Sequence, residues 1–415
     1  MCLRDRVPGV RLAAMTEKTR EESHLPALDG LRGLAILLVL LFHTFARPEV
    51  QHANWIIKSF NQVSLFGWTG VDLFFVLSGF LITRILLDAK TSTNFFKVFY
   101  MRRILRIFPL YYLSLIGVFL IWPLLKLHTG SISGNDAGHV GLTVQLWYWL
   151  NLVNWPTAIH PMLVPLLSHY WTLSIEEQFY AVWPAVVYFL SEKRLALLSV
   201  AGIVSVFILR NLPIVQAFGA THDNFLYRLT PFRMDTLLFG GLLAILFKHV
   251  DRSKLLRWAV PIFVVTLALL LWKAQPSPAE GAITFTGLAV LYSSLLTICI
   301  TSKTAGALFR TRLLRGMGKY SYSVYLIHPS VLFFMDVLVI RPLQKHLLPG
   351  HPYGAPLIFT LLNICVCFGI ARITWVLIES PILRLKRHFR YTYRDDQALK
   401  GETGAVSSPV AIELG

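Results

Sequence analysis

Charge is scarce in this sequence: Asp, Glu, Lys and Arg together make up 15% of its residues, where an ordinary soluble domain carries roughly a quarter. That shortage excludes a well-hydrated globular chain of this length. Cysteine is nearly absent as well. Cys2, Cys299, Cys365 and Cys367 are the four present, and three of them lie inside apolar stretches. None stands at the spacing of a zinc site or a disulfide framework, so packing is their expected role and no metal is expected. There is no internal repeat, no low-complexity tract and no cleavable leader. The first 26 residues are polar and charged, with Met15 as an alternative start, and the first apolar run begins near Leu31. Acidic residues are the rarer sign, 22 against 39 basic ones, for a formal charge of +17.

What fills the chain instead is apolar: 55% of the residues, at a mean hydropathy of +0.58. These residues gather into runs of about 20, the length that crosses a hydrocarbon core. Ten segments are expected to span, at 30–47, 65–88, 104–125, 170–190, 195–211, 231–248, 256–272, 281–300, 319–340 and 355–379. A further stretch, 142–153, is too short to span and is rich in Trp and Asn, which suits a re-entrant or interfacial element. The fold class is therefore an all-α polytopic membrane bundle. Three regions are expected: a polar N-terminal segment (1–25), a membrane domain (26–387) and a polar, disordered tail (388–415).

The surplus of basic residues follows the loops. Lys90, Lys97, Arg102, Arg103 and Arg106 separate the second and third segments, and further clusters fall in every second loop after that. Between Lys126 and Lys193 there is no Lys or Arg at all. Basic loops stay cytoplasmic, so both termini are expected inside a multi-pass plasma (inner) membrane protein. The same rule explains the positive charge without nucleic acid, for which no partner role is expected.

Ionisable groups inside apolar segments cost at least ~2.5–3.5 kcal/mol each on insertion scales and mark polar cavities. The first segment carries Arg32 and His43, eleven residues apart. At about 100° per residue they share one face, about 16.5 Å apart along the axis. Each has a structural alternative: Arg32 as a snorkelling anchor, His43 as a buried ring bonded to a carbonyl. Asp72 on the second segment, Glu176 and Glu177 on the fourth, and Arg233 and Asp235 at the start of the sixth bring acidic groups to a similar depth. Pairing with Arg233 or helix capping is the structural alternative for these acids. Adjacent helical residues differ by about 100°, so one of the two glutamates is expected to face elsewhere. A histidine held by a carboxylate is the usual general base for an attacking hydroxyl. Arg103 and Arg106 share a face and suit bidentate phosphate binding, although a juxtamembrane basic pair also serves topology and lipid headgroups. His328 precedes Pro329, and either lines the cavity or satisfies the break the proline makes.

Several segments together resemble the family 3 membrane acyltransferases, which modify O-antigens, other polysaccharides, nodulation factors and macrolides. The matching residues are Leu28-Asp29-Gly30-Leu31-Arg32-Gly33 with His43, then Asp72 through Phe80. Arg103, Arg106 and Pro109 follow, then Trp171 through Tyr180, Tyr320-Ser321 through His328-Pro329, and Glu379-Ser380-Pro381. The resemblance covers about residues 25–387. It implies a ten-helix domain that takes an acyl group, usually acetyl, from cytoplasmic acyl-CoA and delivers it to a glycan or lipid-linked hydroxyl beyond the membrane. It also implies roles: His43 as the catalytic histidine, Arg32 as its partner, Arg103 and Arg106 on the CoA phosphates, and Glu176, ahead of Asp72, orienting His43. Some members carry a fused extracytoplasmic hydrolase-like domain at the C-terminus, and none is expected here. Two other functions fit the same residues. A transporter would also line its path with ionisable groups, but the two halves show no matching pair of broken segments. A non-enzymatic scaffold or sensor would be indifferent to His43→Ala.

Overall fold

Apolar backbone must satisfy its own N–H and C=O groups, and this chain does so with helices alone, with no strand among the described residues. The computed structural model describes residues 25–45, 55–121, 123, 140–160, 163–222, 224–272, 282–340 and 354–393. The polar segment 1–24 with Cys2 and Met15, and the tail from 394, lie outside them.

Ten principal helices follow in chain order. They are α1 Pro26–Phe45, α2 Gly70–Ala89, α3 Phe95–Ile116, α4 Tyr170–Phe189 and α5 Glu192–Asn211. The second half holds α6 Met234–His249, α7 Arg252–Trp272, α8 Ala282–Thr301, α9 Arg312–Met335 and α10 Gly354–Thr374. Among the described residues, seven helical stretches are long and apolar enough to cross a membrane. An eighth is added if α5 and Pro213–Thr221, bent by 64° at their junction, form one span. The expected count of about ten is thus not confirmed among the described residues. Helix α6 has 16 residues and is short, and α4 is diluted by Ser174, Glu176, Glu177 and Gln178.

The stretch expected to be re-entrant or interfacial forms two short helices, Leu142–Trp149 and Asn154–Ile159. Asn151 turns the chain between them in the left-handed region (φ 56°). Tyr111 donates to the Tyr148 carbonyl at 2.7 Å, and Gln178 donates to Asn154 Oδ1 at 2.8 Å. These bonds tie the pair to α3 and α4.

Successive helices alternate direction, so the basic loops meet at one end of the bundle. There the start of α3 is bonded to the segment after α10, with Asn94 Nδ2 donating to the Arg390 carbonyl at 2.8 Å. Lys248 at the end of α6 pairs with Glu192 at the start of α5 at 2.5 Å. We call this the basic end.

Without a hydrophobic drive between helices in lipid, close packing rests on small residues. Two helix pairs illustrate it. A methyl added to Gly318 of α9 would overlap the Asp29 carbonyl of α1, and one added to Gly79 of α2 would overlap the Leu237 carbonyl of α6. Gly316, one half-turn away, has nothing within 4 Å of such a methyl. Gly318→Ala is expected to destabilise by about 1–3 kcal/mol or more through forced separation of the backbones. Gly316→Ala is expected to be neutral or stabilising by up to about 1 kcal/mol. Thermal unfolding of the two variants in one detergent checks this, and equal melting temperatures would refute it.

Candidate active site

Two sets stand out among the charged residues of the interior. The first set is paired. Arg233 donates to Asp72 at 2.6 Å with both side chains fully buried, and three rings surround its guanidinium, the nearest, Phe285, at 4.4 Å from the centroid. Asp235 pairs with Arg210, which also donates to the Phe232 carbonyl. This cluster ties α2, α5 and α6 together. Arg210 was not singled out in the sequence, where it reads as one basic residue near the end of an apolar run. Asp72 has the partner given as its structural alternative, Arg233, whereas Asp235 pairs with Arg210 instead.

The second set faces a cavity of about 110 Å³. Arg32, Arg103, Arg106, Glu176 and Glu177 all line it. Both glutamates do so, against the expectation that one would face elsewhere, because the cavity wraps around α4 over more than the angle between neighbours. Glu176 accepts from Ser78 Oγ at 2.6 Å. The guanidinium of Arg103 lies over Tyr180, 5.5 Å from the ring centroid, which steadies it beside the glutamates. The same three arginines also line a narrower cavity at the basic end, so the two spaces share a wall.

His43 does not line this cavity. Among the described residues its ring meets Phe42 and, at 4.9 Å between centroids, His328. His328 in turn lies 5.0 Å from His169. No carboxylate bonds to His43 among the described residues. Its Nδ1 instead lies 2.8 Å from the Val39 carbonyl. A carbonyl can only accept, so Nδ1 carries the hydrogen and Nε2 is left with its lone pair. The carbonyl thus sets the tautomer that a carboxylate was expected to set.

His328 repeats the device for a different reason. Pro329 has no N–H to give the Tyr325 carbonyl one turn back, and His328 Nδ1 takes that place at 2.7 Å. Its Nε2 is buried without a partner, as are both ring nitrogens of His169. The two alternatives for His328 therefore coincide: it satisfies the break and joins the histidine group.

Tyr325 connects the two sites. It lines the arginine cavity, its hydroxyl bonds Thr172 at 2.6 Å, and its ring lies 5.2 Å from His169 and 5.6 Å from His328. Arg32 and His43 therefore stand at opposite ends of one run of polar groups, as their shared face requires. His169, Thr172, Ser78 and Tyr325 were missed as individual residues. Their hydroxyls and ring nitrogens carry no charge that would make them conspicuous in an apolar run. Among the described residues no group of His, Cys, Asp or Glu is placed to hold a metal ion.

Comparison with known sequences adds an independent finding. A family profile described as an acyltransferase domain matches residues 25–375. A Bacillus subtilis (strain 168) protein, YrhL, provisionally named a peptidoglycan O-acetyltransferase, is 27% identical over 393 residues, covering 89% of this chain and 56% of that protein. The Staphylococcus aureus (strain NCTC 8325) O-acetyltransferase OatA is 29% identical over 385 residues, covering 88% of this chain and 58% of its own. The chain thus spans little more than half the length of these relatives. No solved structure matches it.

The paired set yields a prediction about Asp72. Asp72→Ala is expected to strand Arg233 and destabilise by about 3–5 kcal/mol. The double variant Asp72→Leu, Arg233→Met is expected to recover most of that loss. Melting temperatures in detergent decide it; a single variant as stable as the parent would show that the pair is not structural.

Proposed function

The chain belongs to the acyltransferase family 3, and from that premise we propose that it is a membrane O-acyltransferase. In this reading it moves an acetyl group from acetyl-CoA, entering at the basic end, to a hydroxyl of a glycan at the histidine end. Peptidoglycan is the first acceptor to test, since one relative carries that name. The basic end then faces the cytoplasm, as the distribution of Lys and Arg favours.

The observation that carries the proposal is the polar run between Arg32 and His43 through Tyr325. A donor with an anionic head suits the arginines of the cavity, and its thin arm points past Tyr325, whose ring packs against the histidine group that His43 joins. Arg103 and Arg106 hold the phosphates, and Arg32 guides the arm inward. His43 Nε2, the lone-pair nitrogen, takes the proton of the acceptor hydroxyl as that oxygen attacks the thioester carbonyl. The C–S bond breaks, the ester forms, and the protonated histidine returns its proton to the departing thiolate. Glu176, bonded to Ser78 and next to Arg103, serves here as a positioning charge for the arginines rather than as the partner of His43. Asp72 is left to the buried pair.

General acid–base catalysis by one side chain contributes typically ~10²–10⁴-fold. His43→Ala is therefore expected to lower labelled acetyl transfer from acetyl-CoA by about that factor, with the folded, membrane-inserted protein recovered in normal yield. Glu176→Gln is expected to raise the KM for the donor more than it lowers kcat. Full activity in His43→Ala would eliminate the scheme.

A further inference from the structure

The chain beyond α10 turns back across the basic end. After Trp375–Glu379 and Ser380–Arg384, the segment 385–393 runs against the loop between α2 and α3. Thr93 N–H donates to the Thr392 carbonyl at 2.9 Å, and Thr392 N–H donates to Asn94 Oδ1 at 3.1 Å. Arg102 Nε donates to the Phe389 carbonyl at 2.7 Å, and its guanidinium lies over the Tyr391 ring, 5.8 Å from the centroid. Bonds to this many backbone positions make the segment a fixed strap rather than a trailing end.

The strap closes one side of the narrow cavity at the basic end, about 30 Å³ against about 110 Å³ for the cavity it adjoins. Its lining includes Arg32, Arg102, Arg103, Arg106 and Lys386, with Tyr391 beside them, and no carboxylate. Five cations converge there; Arg32 reaches Asp29 behind the wall at 3.6 Å, while Arg103, Arg106 and Lys386 stand together with no acid in the lining. Such a cluster is costly to assemble unless an anion completes it. A second observation points the same way: the Tyr391 hydroxyl is buried with no hydrogen-bond partner. Burial pushes that phenol up to about 12, so it stays a neutral O–H donor. An unpaired buried donor next to cations is an incomplete site for an oxyanion.

We infer that the strap is part of the donor site, and that Lys386 and Tyr391 bind the phosphorylated, nucleotide end of the acyl carrier at the mouth of the cavity. The inference rests on the acyl-CoA reading above and extends it to residues outside the arginine pair. The number of cations fits a ligand with several phosphate charges better than a single carboxylate or phosphomonoester. The narrowness of the mouth sets the division of labour. Bulky phosphates stay at the rim between the strap and the arginines, and only the unbranched arm passes Arg32 into the larger cavity.

The test uses the full chain in nanodiscs, with adenosine 3′,5′-bisphosphate as the binding probe and labelled acetyl-CoA as the substrate. Lys386→Ala is expected to weaken bisphosphate binding by about tenfold or more, the scale of one charge-assisted hydrogen bond. It is expected to raise the KM for acetyl-CoA correspondingly while kcat is largely retained. Lys386→Arg is expected to restore both, and Tyr391→Phe to weaken binding by a smaller factor. Acetyl-pantetheine, which lacks the nucleotide, is expected to react equally with the parent and Lys386→Ala. Unchanged bisphosphate affinity in Lys386→Ala would overturn the inference. So would a loss seen only in nanodiscs containing phosphatidylglycerol, which would make a lipid headgroup the anion. A parent protein that uses acetyl-CoA but does not bind the bisphosphate would sink the strap's role alone. A parent that does neither would sink the donor reading with it.

Discussion

The cost of burying charge away from water organises this molecule. An ion in a helix bundle must either meet a counter-ion with good geometry or face a polar space. Arg233 and Arg210 take the first course, with Asp72 and Asp235 as partners. Arg103 and Arg106 take the second and gather around a cavity with Arg32, which also reaches Asp29 at 3.6 Å. The paired set fixes how α2, α5 and α6 stand to one another, and the cavity is walled by α2 together with α1, α3, α4 and α9.

Close backbone contact makes that convergence possible. Helices α1 and α9 meet through glycine, as do α2 and α6, and this brings Arg32 and His43 of α1 against Tyr325 and His328 of α9. The proline in α9 then adds a chemical consequence to a structural one. By withholding a hydrogen bond it frees the Tyr325 carbonyl, which fixes the tautomer of His328. His43 reaches the same state through Val39. In both cases the helix backbone performs the orienting task usually given to a carboxylate.

A transport function would call for corresponding breaks in the two halves of the chain. Among the described residues the one sharply bent pair lies between α5 and Pro213–Thr221, with no counterpart. Between the arginine cavity and the histidines the polar run consists of the Tyr325 ring and hydroxyl packed against Thr172, His169 and His328. The strap across the basic end belongs to the same design, since it narrows the mouth where the arginines stand.

From the sequence alone, the bundle architecture, the clustering of basic residues at one end and the alignment of Arg32 with His43 were all legible. Helical periodicity and the cost of buried charge act locally along the chain, so a single segment reveals them. The order and spacing of motifs carried the family as well. Tertiary structure alone decided which charges pair. An acid on one helix chooses its arginine by distance across the bundle, and Asp72, Asp235 and Glu176 are chemically alike until that distance is known. It also decided that carbonyls rather than carboxylates hold the two histidines, a choice the sequence left open because it shows no distance to either partner. And it brought Lys386, at the end of the expected membrane domain, and Tyr391, from what read as a plain polar tail, to the arginines at the basic end, where the same segment bonds Asn94 across nearly three hundred residues.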